Sequence, residues 1–262
     1  MPVVALSEAD LVEAADLLSR AGLQGGASNV GRYLRWQPDG AWKVVREGRL
    51  VGMVTLLRFG QVGFVGCMAV EPALQGEGIG RELLEHAHDH GSRRGVTTFA
   101  LEATPVGERL YRKLGYVGEG ETAIVGRTAA GTSSLALIAD RAGIVELDAL
   151  ATGSSRAVMI EALLGDAPGA IARVGELVGY GLALGDRLGP VIARDIGAGR
   201  ALVDQLAPGC AVAAVPVAND AAMDAFATNG FSEARRLRRM RRGPVVAMHA
   251  PWIWALASPG AG

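Results

Sequence analysis

Three glycines at alternate positions, Gly76, Gly78 and Gly80, sit in the run LQGEGIGRELLEH of residues 74–86, directly ahead of a helical pattern. Glycine there costs conformational entropy, which a chain accepts where its backbone must approach something closely. The first N–H groups of a helix lack internal partners and carry the positive end of the helix dipole. A glycine-rich entry lets those amides close around an anion, phosphate above all. Two phosphate-binding patterns are excluded. Walker A needs Gly-Lys-Ser/Thr, and Gly80 is followed by Arg81-Glu82. The dinucleotide fingerprint needs a sixth-position glycine, which counted from Gly76 is Arg81.

Three other clusters carry chemistry-bearing side chains. HAHDH places His86, His88 and His90 on the helix after the glycine loop. His86 and His90 are four apart and could share a metal, but no third ligand is near, so a solvated helix flank is expected and no metal site is assigned. Cys67 has no evident base beside it and reads as an inert thiol. RRLRRMRR, residues 235–242, holds six arginines. The favoured reading is a strand whose arginines meet solvent or acidic partners. A rim attracting an anionic acceptor and a nucleic-acid patch are the alternatives.

Periodicity supplies the elements that must hold these groups. PVVALS is a strand, and Ser7 caps a helix running to about Arg20; a second helix spans about Ser28 to Trp36. Two strands follow around a turn at Glu47-Gly48, then a third, QVGFVGCMAV, which feeds the glycine loop and a helix from about Gly78 to His90. TTFALEA is a strand. TPVGERLYRKLGY is a helix with Thr104 as N-cap, Pro105 at its first position and Gly115 as its stop. YVGEGETAIVGR closes the set. TAAGTSS, residues 128–134, reads as a linker. Beyond it the pattern recurs: REGRLVG (46–52) echoes in RVGELVG (173–179), and TPVGERLYRKLGY (104–116) in NDAAMDAFATNGF (219–231). The second copy is shorter in the region that holds the glycine loop in the first. The expected organisation is two related domains, 1–127 and 135–250, a linker at 128–134, and a tail at 251–262. Trp252 and Trp254 in that tail are expected to pack between the domains, or else to line a cleft.

Composition bounds the classes. The 262 residues are half apolar and 5% aromatic, with 37 dispersed glycines and a net charge of -1. Fibrous and low-complexity chains are excluded, and nucleic acid is an unfavoured main partner. Two cysteines build neither a disulfide framework nor a zinc site. The N-terminus lacks a basic region before an apolar run, and no apolar run spans a bilayer, so a cytoplasmic protein without membrane contact is expected. Lysine occurs only at 43 and 113, an arginine bias that points to a GC-rich bacterial genome.

CMAVEPALQGEGIGRELLEHA, residues 67–87, resembles motif A of the GNAT superfamily of acetyl-CoA-dependent N-acetyltransferases. There an apolar strand leads through Val-x-Pro into Gln/Arg-x-x-Gly-x-Gly/Ala, matched here by Val70, Pro72, Gln75, Gly78 and Gly80. LYRKLGY resembles the family's later helix and closing strand. The resemblance covers 1–127 well and 135–250 weakly. It implies an α/β (α+β) fold of two GNAT-like domains, each a mixed, mostly antiparallel sheet flanked by helices. It implies acetyl-CoA as cosubstrate, with no metal. The loop Gln75, Gly76, Glu77, Gly78, Ile79, Gly80 would hold the pyrophosphate, with Arg81 adding charge. The backbone of Met68, Ala69 and Val70 would bind the pantetheine arm. Tyr111 would be the general acid that protonates the departing thiolate. Thr104 stands where the family often has Asn; it caps the helix and contributes at the cofactor site without an amide to offer. Of the nearby carboxylates Glu71, Glu77 and Glu102, none is singled out as the base.

In the second copy, GPVIARDIGAGRALVDQLAPG keeps Gly197 and Gly199 but not the motif, and Phe226 stands where the first copy has Tyr111. The expectation is direct acetyl transfer to a primary amine, small molecule or peptide, by the first domain. The second domain would be structural or shape the acceptor site, and a homodimer is left open. A non-catalytic CoA-binding sensor or scaffold is the alternative.

Overall fold

The computed structural model describes residues 2–23, 27–128 and 135–262. Apart from Thr128, the expected linker lies outside the described residues.

The first copy runs β1 (Val3–Ala5), α1 (Leu11–Arg20), α2 (Ala27–Trp36), β2 (Ala41–Arg46), β3 (Arg49–Phe59), β4 (Val62–Val70), α3 (Ile79–Ser92), β5 (Thr98–Ala103), α4 (Pro105–Lys113) and β6 (Val117–Gly126). The second repeats the order from its first helix: α5 (Arg141–Thr152), α6 (Ala157–Asp166), β7 (Gly169–Val174), β8 (Glu176–Leu184), β9 (Arg187–Ala193), α7 (Ile196–Leu206), β10 (Val212–Pro216), α8 (Asp220–Thr228) and β11 (Ser232–Arg242). A further short strand, β12 (Ile253–Ala255), follows. Local chemistry sets several boundaries. Glu47 and Gly48 both take positive φ, 52° and 75°, as a two-residue hairpin between β2 and β3 demands. Thr104 and Asn219 cap α4 and α8, each accepting an N–H three residues on.

The two copies do not form separate sheets. One sheet runs β1-β2-β3-β4-β5-β11-β6-β10-β9-β8-β7, with β12 pairing β9 beside it. Strand β11 of the second copy lies between β5 and β6 of the first, antiparallel to both. Reciprocally, β6 lies between β11 and β10 of the second copy. Each copy thus completes its sheet with the other's last strand.

This placement decides what the arginine run does. Across the seam Arg239 pairs with Glu102 of β5 at 3.1 Å, and Arg236 and Arg241 pair with Glu121 and Glu119 of β6 at 3.0 and 2.5 Å. Arg238 reaches Glu121 as well, at 3.5 Å. The run is a strand with acidic partners, as the favoured reading expects, but its strand neighbours are those of the other copy.

On one face of the sheet a shared core joins Leu57, Phe64 and Ala100 of the first copy to Ile144, Leu147 and Tyr180 of the second. On the opposite face the cores separate, with α3 and α4 over the first copy and α7 and α8 over the second. Among the described residues no helix is long and apolar enough to cross a membrane.

The histidines correct the expectation of a solvated flank. His88 and His90 are buried, because α3 lays this side of the helix against the sheet. His86 and His90 set their rings edge-on to Trp42 at 5.2 and 4.6 Å. His88 bonds the Tyr116 hydroxyl at 2.8 Å, and its Nδ1 accepts from Arg242 of β11. No metal-holding group of three ligands occurs among the described residues.

His88 is therefore a latch on β11 that works only while neutral. Burial, reinforced by Arg242, pushes its pKa down to about 4, against about 6.5 unfolded. A lowered histidine pKa contributes stability that is complete above about 6.5 and is lost as pH falls towards 4. The linkage amounts to about 2 kcal/mol at pH 5. Urea unfolding is expected to show a lower midpoint at pH 5 than at pH 7.5, with a smaller fall in His88→Gln. Equal falls in both proteins would contradict the latch.

Candidate active site

Strands β4 and β5 are parallel neighbours only where Val62, Gly63 and Phe64 pair with Thr98, Phe99 and Ala100. Beyond Phe64 they diverge. The cause lies on the other side of β4: opposite β3 the register slips between Met53 and Thr55, and Cys67 takes φ 46°. Such a bulge bends a strand and leaves a residue unpaired. Among the described residues the β5-facing edge of β4 from Val65 to Val70 is thereby left without a strand partner, and apart from Val70 O, which Gln75 meets, its main-chain groups are free for another chain or a ligand.

The glycine loop closes this wedge. Gly76 and Gly78 both have φ 92°, and an added Cβ on either would meet nothing within 4 Å. The left-handed backbone, not crowding, is the reason for glycine there. Gly78 is the N-cap of α3. The amides of Gly78, Ile79, Gly80 and Arg81 find no acceptor among the described residues, and the first bond of the helix is from Glu82 to Gly78 O. Gly80 is needed for a different reason: a Cβ would lie 3.2 Å from both Leu110 and Met68. It lets α3 pack closely on α4.

Wedge and loop open into one cleft of about 1230 Å³. Of the residues expected to hold the cofactor, Met68, Ala69, Val70, Gln75, Gly76, Gly78, Gly80, Arg81 and Thr104 line it, and so does Tyr111. Glu77 and Ile79 do not. Glu77 turns out to pair with Arg46 at 2.9 Å, and the Ile79 side chain enters the core, leaving only its amide at the helix mouth. Gln75 braces the loop by donating to Val70 O, and Arg81 pairs with Glu85 at 2.8 Å.

Tyr111 is buried, with its ring edge-on to Tyr116 at 5.7 Å and its hydroxyl without a hydrogen bond among the described residues. Burial raises its pKa above the ordinary phenol value, so it keeps its proton throughout the physiological range. Cys67 stays a thiol because burial pushes it up to about 12, which agrees with an inert reading.

Glu102 stands out where sequence could not separate it from its neighbours. The β5 main chain at Glu102 is open to the cleft, while its carboxyl is covered, 0% exposed. Arg239 of the second copy holds Oε1 at 3.1 Å; Oε2 is buried without a hydrogen bond among the described residues. Burial lifts its pKa above the usual carboxylate value although Arg239 opposes it. A covered carboxylate with one unsatisfied oxygen asks for a donor.

The second copy shows what happens to the same architecture when it is filled. Strands β9 and β10 also pair for only two residues before diverging, but β12 lies in that wedge, pairing β9 and joined to β10 through Leu256 N to Ala214 O at 2.8 Å. Only two residues separate β9 from α7, against eight between β4 and α3. The carboxylate of Asp195 accepts from Ala198 at the mouth of α7, at 2.8 Å. An internal anion occupies the helix terminus. Trp254 packs on Gly199 so closely that a Cβ there would fall 2.0 Å from its ring. Asn219, at the position of Thr104, spends its amide on Pro251 O and Ile253 O. The tryptophans divide the expectation: Trp254 plugs the second copy's wedge rather than packing between domains, whereas Trp252 stacks on His249 at 4.3 Å and packs against the core that the two copies share. The chain continues so that Ser258, Pro259 and Gly260 line the first copy's cleft.

Family models described as an acetyltransferase (GNAT) domain match residues 38–118 and, separately, residues 144–254. A putative acetyltransferase from Pyrococcus horikoshii superposes with a TM-score of 0.88 at 22% identity, over 100% of this chain and 95% of its own. A GCN5-related N-acetyltransferase from Sphaerobacter thermophilus gives 0.68 at 18%, over 95% and 98%. One from Kribbella flavida gives 0.58 at 18%, over 92% and 70%. At these identities the likeness speaks for the fold. No curated protein matches the sequence.

If Trp254 is what seals the second wedge, Trp254→Ala should cost about 3–5 kcal/mol of unfolding free energy, measured by urea titration. A loss below about 1 kcal/mol would mean that the ring does not hold β12 in place.

Proposed function

We infer the function from the family: the chain belongs to the GNAT superfamily as a tandem of two acetyltransferase domains, and it is an acyltransferase. Our reading is that the first copy moves an acetyl group from acetyl-CoA to a primary amine by direct transfer, and that the second copy binds no cofactor. The supporting observation is the contrast between the two wedges. The first is open, glycine-mouthed and fronted by unpaired amides. The second is filled by the chain's own strand, carboxylate and tryptophan.

The residues present fit such a cosubstrate. The amides of Gly78, Ile79, Gly80 and Arg81, at the positive end of α3, suit a pyrophosphate. The free edge of β4 at Met68, Ala69 and Val70 suits an amide-bearing arm, which would pair there as a strand does. Acetyl-CoA supplies the activated acetyl thioester, whose carbon–sulfur bond breaks as the new carbon–nitrogen bond forms.

The chain's own groups manage two protons. Glu102 takes one from the acceptor's ammonium through water, because its carboxyl is covered; a water reaching Oε2 also gives that oxygen its missing donor, and burial raises its proton affinity. Arg239 keeps the carboxyl in place. Tyr111 gives its phenolic proton to the sulfur as negative charge develops there, and water returns to it the second proton that the nitrogen loses as the amide forms. Its raised pKa means it donates only as the bond breaks. Glu102 then releases its proton to solvent by the same waters.

General acid–base catalysis contributes roughly 10²–10⁴ in rate. Tyr111→Phe should therefore lower kcat by about 10² or more with little change in acetyl-CoA affinity. Glu102→Gln should lower kcat/KM comparably and abolish the acidic limb of its pH profile. A thiol-release assay over a panel of amines, with calorimetry for acetyl-CoA, reads both. Activity within about twofold of wild type in either variant would remove that residue from the mechanism, and two bound equivalents of acetyl-CoA would refute the assignment of the second copy.

A further inference from the structure

The arginines of β11 have acidic partners through most of its length, yet among the described residues two cations at the far end of the cleft have none. Arg187, the first residue of β9, lines the cleft with its Nη1 buried and without any hydrogen bond among the described residues. No described carboxylate forms an ion pair with it, and its sequence neighbour Asp186 acts on it only at longer range. Arg235 of β11 also lines the cleft, and among the described residues it hydrogen-bonds only Gly22 O, at 3.4 Å. Arg32 is close enough to add to the positive field on Arg187. Beside them Tyr33 of α2 shares a 2.6 Å hydrogen bond with Ser258 of the tail, both lining the same cleft.

Burying an unpaired cation costs several kcal/mol unless a counter-charge arrives. Burial holds Arg187 below the ordinary guanidinium value, opposed by Tyr33 and Asp186 and reinforced by Arg235 and Arg32. A guanidinium fork is also the group best matched to a carboxylate or phosphate. We propose that this end of the cleft, built by Arg187, Arg235, Tyr33 and Ser258, seats an anionic group carried by the acceptor. On the reading of the first copy as an amine acetyltransferase, the substrate class is then an amine bearing a carboxylate or a phosphate.

The seat draws on β9, β11, α2 and the tail, none of which forms the cofactor's anion site at the mouth of α3. Along β11, Arg235 precedes Arg239, the partner of Glu102, by four residues, about 13 Å at the usual strand rise. The acceptor's anion is therefore set several bonds away from its amine.

Kinetics with matched pairs test this on the full chain: 6-aminohexanoate against 6-aminohexanamide, and 3-aminopropyl phosphate against 3-amino-1-propanol. The anionic member of at least one pair is expected to have the higher kcat/KM, by about 10-fold or more, expressed mainly in KM. Arg187→Gln should reduce that preference by about 10- to 10²-fold, the worth of a charged hydrogen-bond pair. Arg187→Met should raise the unfolding midpoint, because it removes an unpaired buried charge; a lowered midpoint with equal losses for charged and neutral amines would make Arg187 structural and overturn the proposal. Calorimetry with glutarate and with inorganic phosphate gives a readout free of turnover and tells the two anions apart. Binding of either, lost in Arg187→Gln, upholds the seat even if no amine is acetylated, which would sink the transferase reading alone. Acetylation without charge preference, and with neither anion bound, would sink the seat and leave the transferase reading standing.

Discussion

Everything in this molecule hangs on strand β11 lying between β5 and β6. A strand in the middle of a sheet satisfies main-chain groups on both sides, and leaving them buried and unpaired is costly. Neither copy can complete its sheet alone: the first needs β11 and the second needs β6. The arginines of β11 then meet carboxylates of β5 and β6 across the seam, where opposite charges facing each other add to the pairing. Two sequence repeats have become one structural body, joined by hydrogen bonds along the whole seam and by a shared core.

That joint has chemical consequences. Glu102 belongs to the first copy but is held by Arg239 of the second, and the cleft that carries Tyr111 is walled by Arg187, Arg235 and the tail residues Ser258–Gly260. On the proposed reading the groups that would handle protons and face the acceptor come from both copies, whereas the glycine loop belongs to the first alone. The second copy kept the divergent strand pair, the glycines at the helix mouth and an aromatic pair like Tyr111–Tyr116, with Phe226 and Phe231 5.3 Å apart. It filled the vacated space with its own chain. β12, Asp195 and Trp254 occupy the places that stand open in the first copy. Asn219 secures that strand from the position at which Thr104 faces the open cleft.

Much of this was legible from residues near one another in sequence. The positive φ at Glu47 and Gly48, the Thr104 cap and the left-handed Gly76 and Gly78 are local requirements, and the sequence carries them openly. The repeat and the shortened second loop were equally visible. What could not be read was pairing across long separations. The alternation in RRLRRMRR marks a strand without naming its neighbours, so β11 was expected within its own copy. His88 and His90 looked solvated because a helix wheel does not reveal how deeply a sheet receives it. Glu102 resembled Glu71 and Glu77 until β11 covered it, and Arg187 carried no motif at all; its significance is an unpaired atom that exists only after folding. Trp254 was known to be apolar and placeable, but its socket over Gly199 depends on the divergence of β9 and β10.

The central claim is that the first copy's site is formed by an interlaced pair and has no independent existence. Residue-resolved native-state hydrogen exchange in rising urea tests it most directly, because it reports which strands open together. The account predicts that amides of β5, β11, β6 and β10 converge on one common opening free energy, equal to that of global unfolding. If amides of β3, β4 and β5 instead opened at low urea while β8, β9 and β10 stayed protected, or the reverse, the copies would be separable units and the account would be wrong.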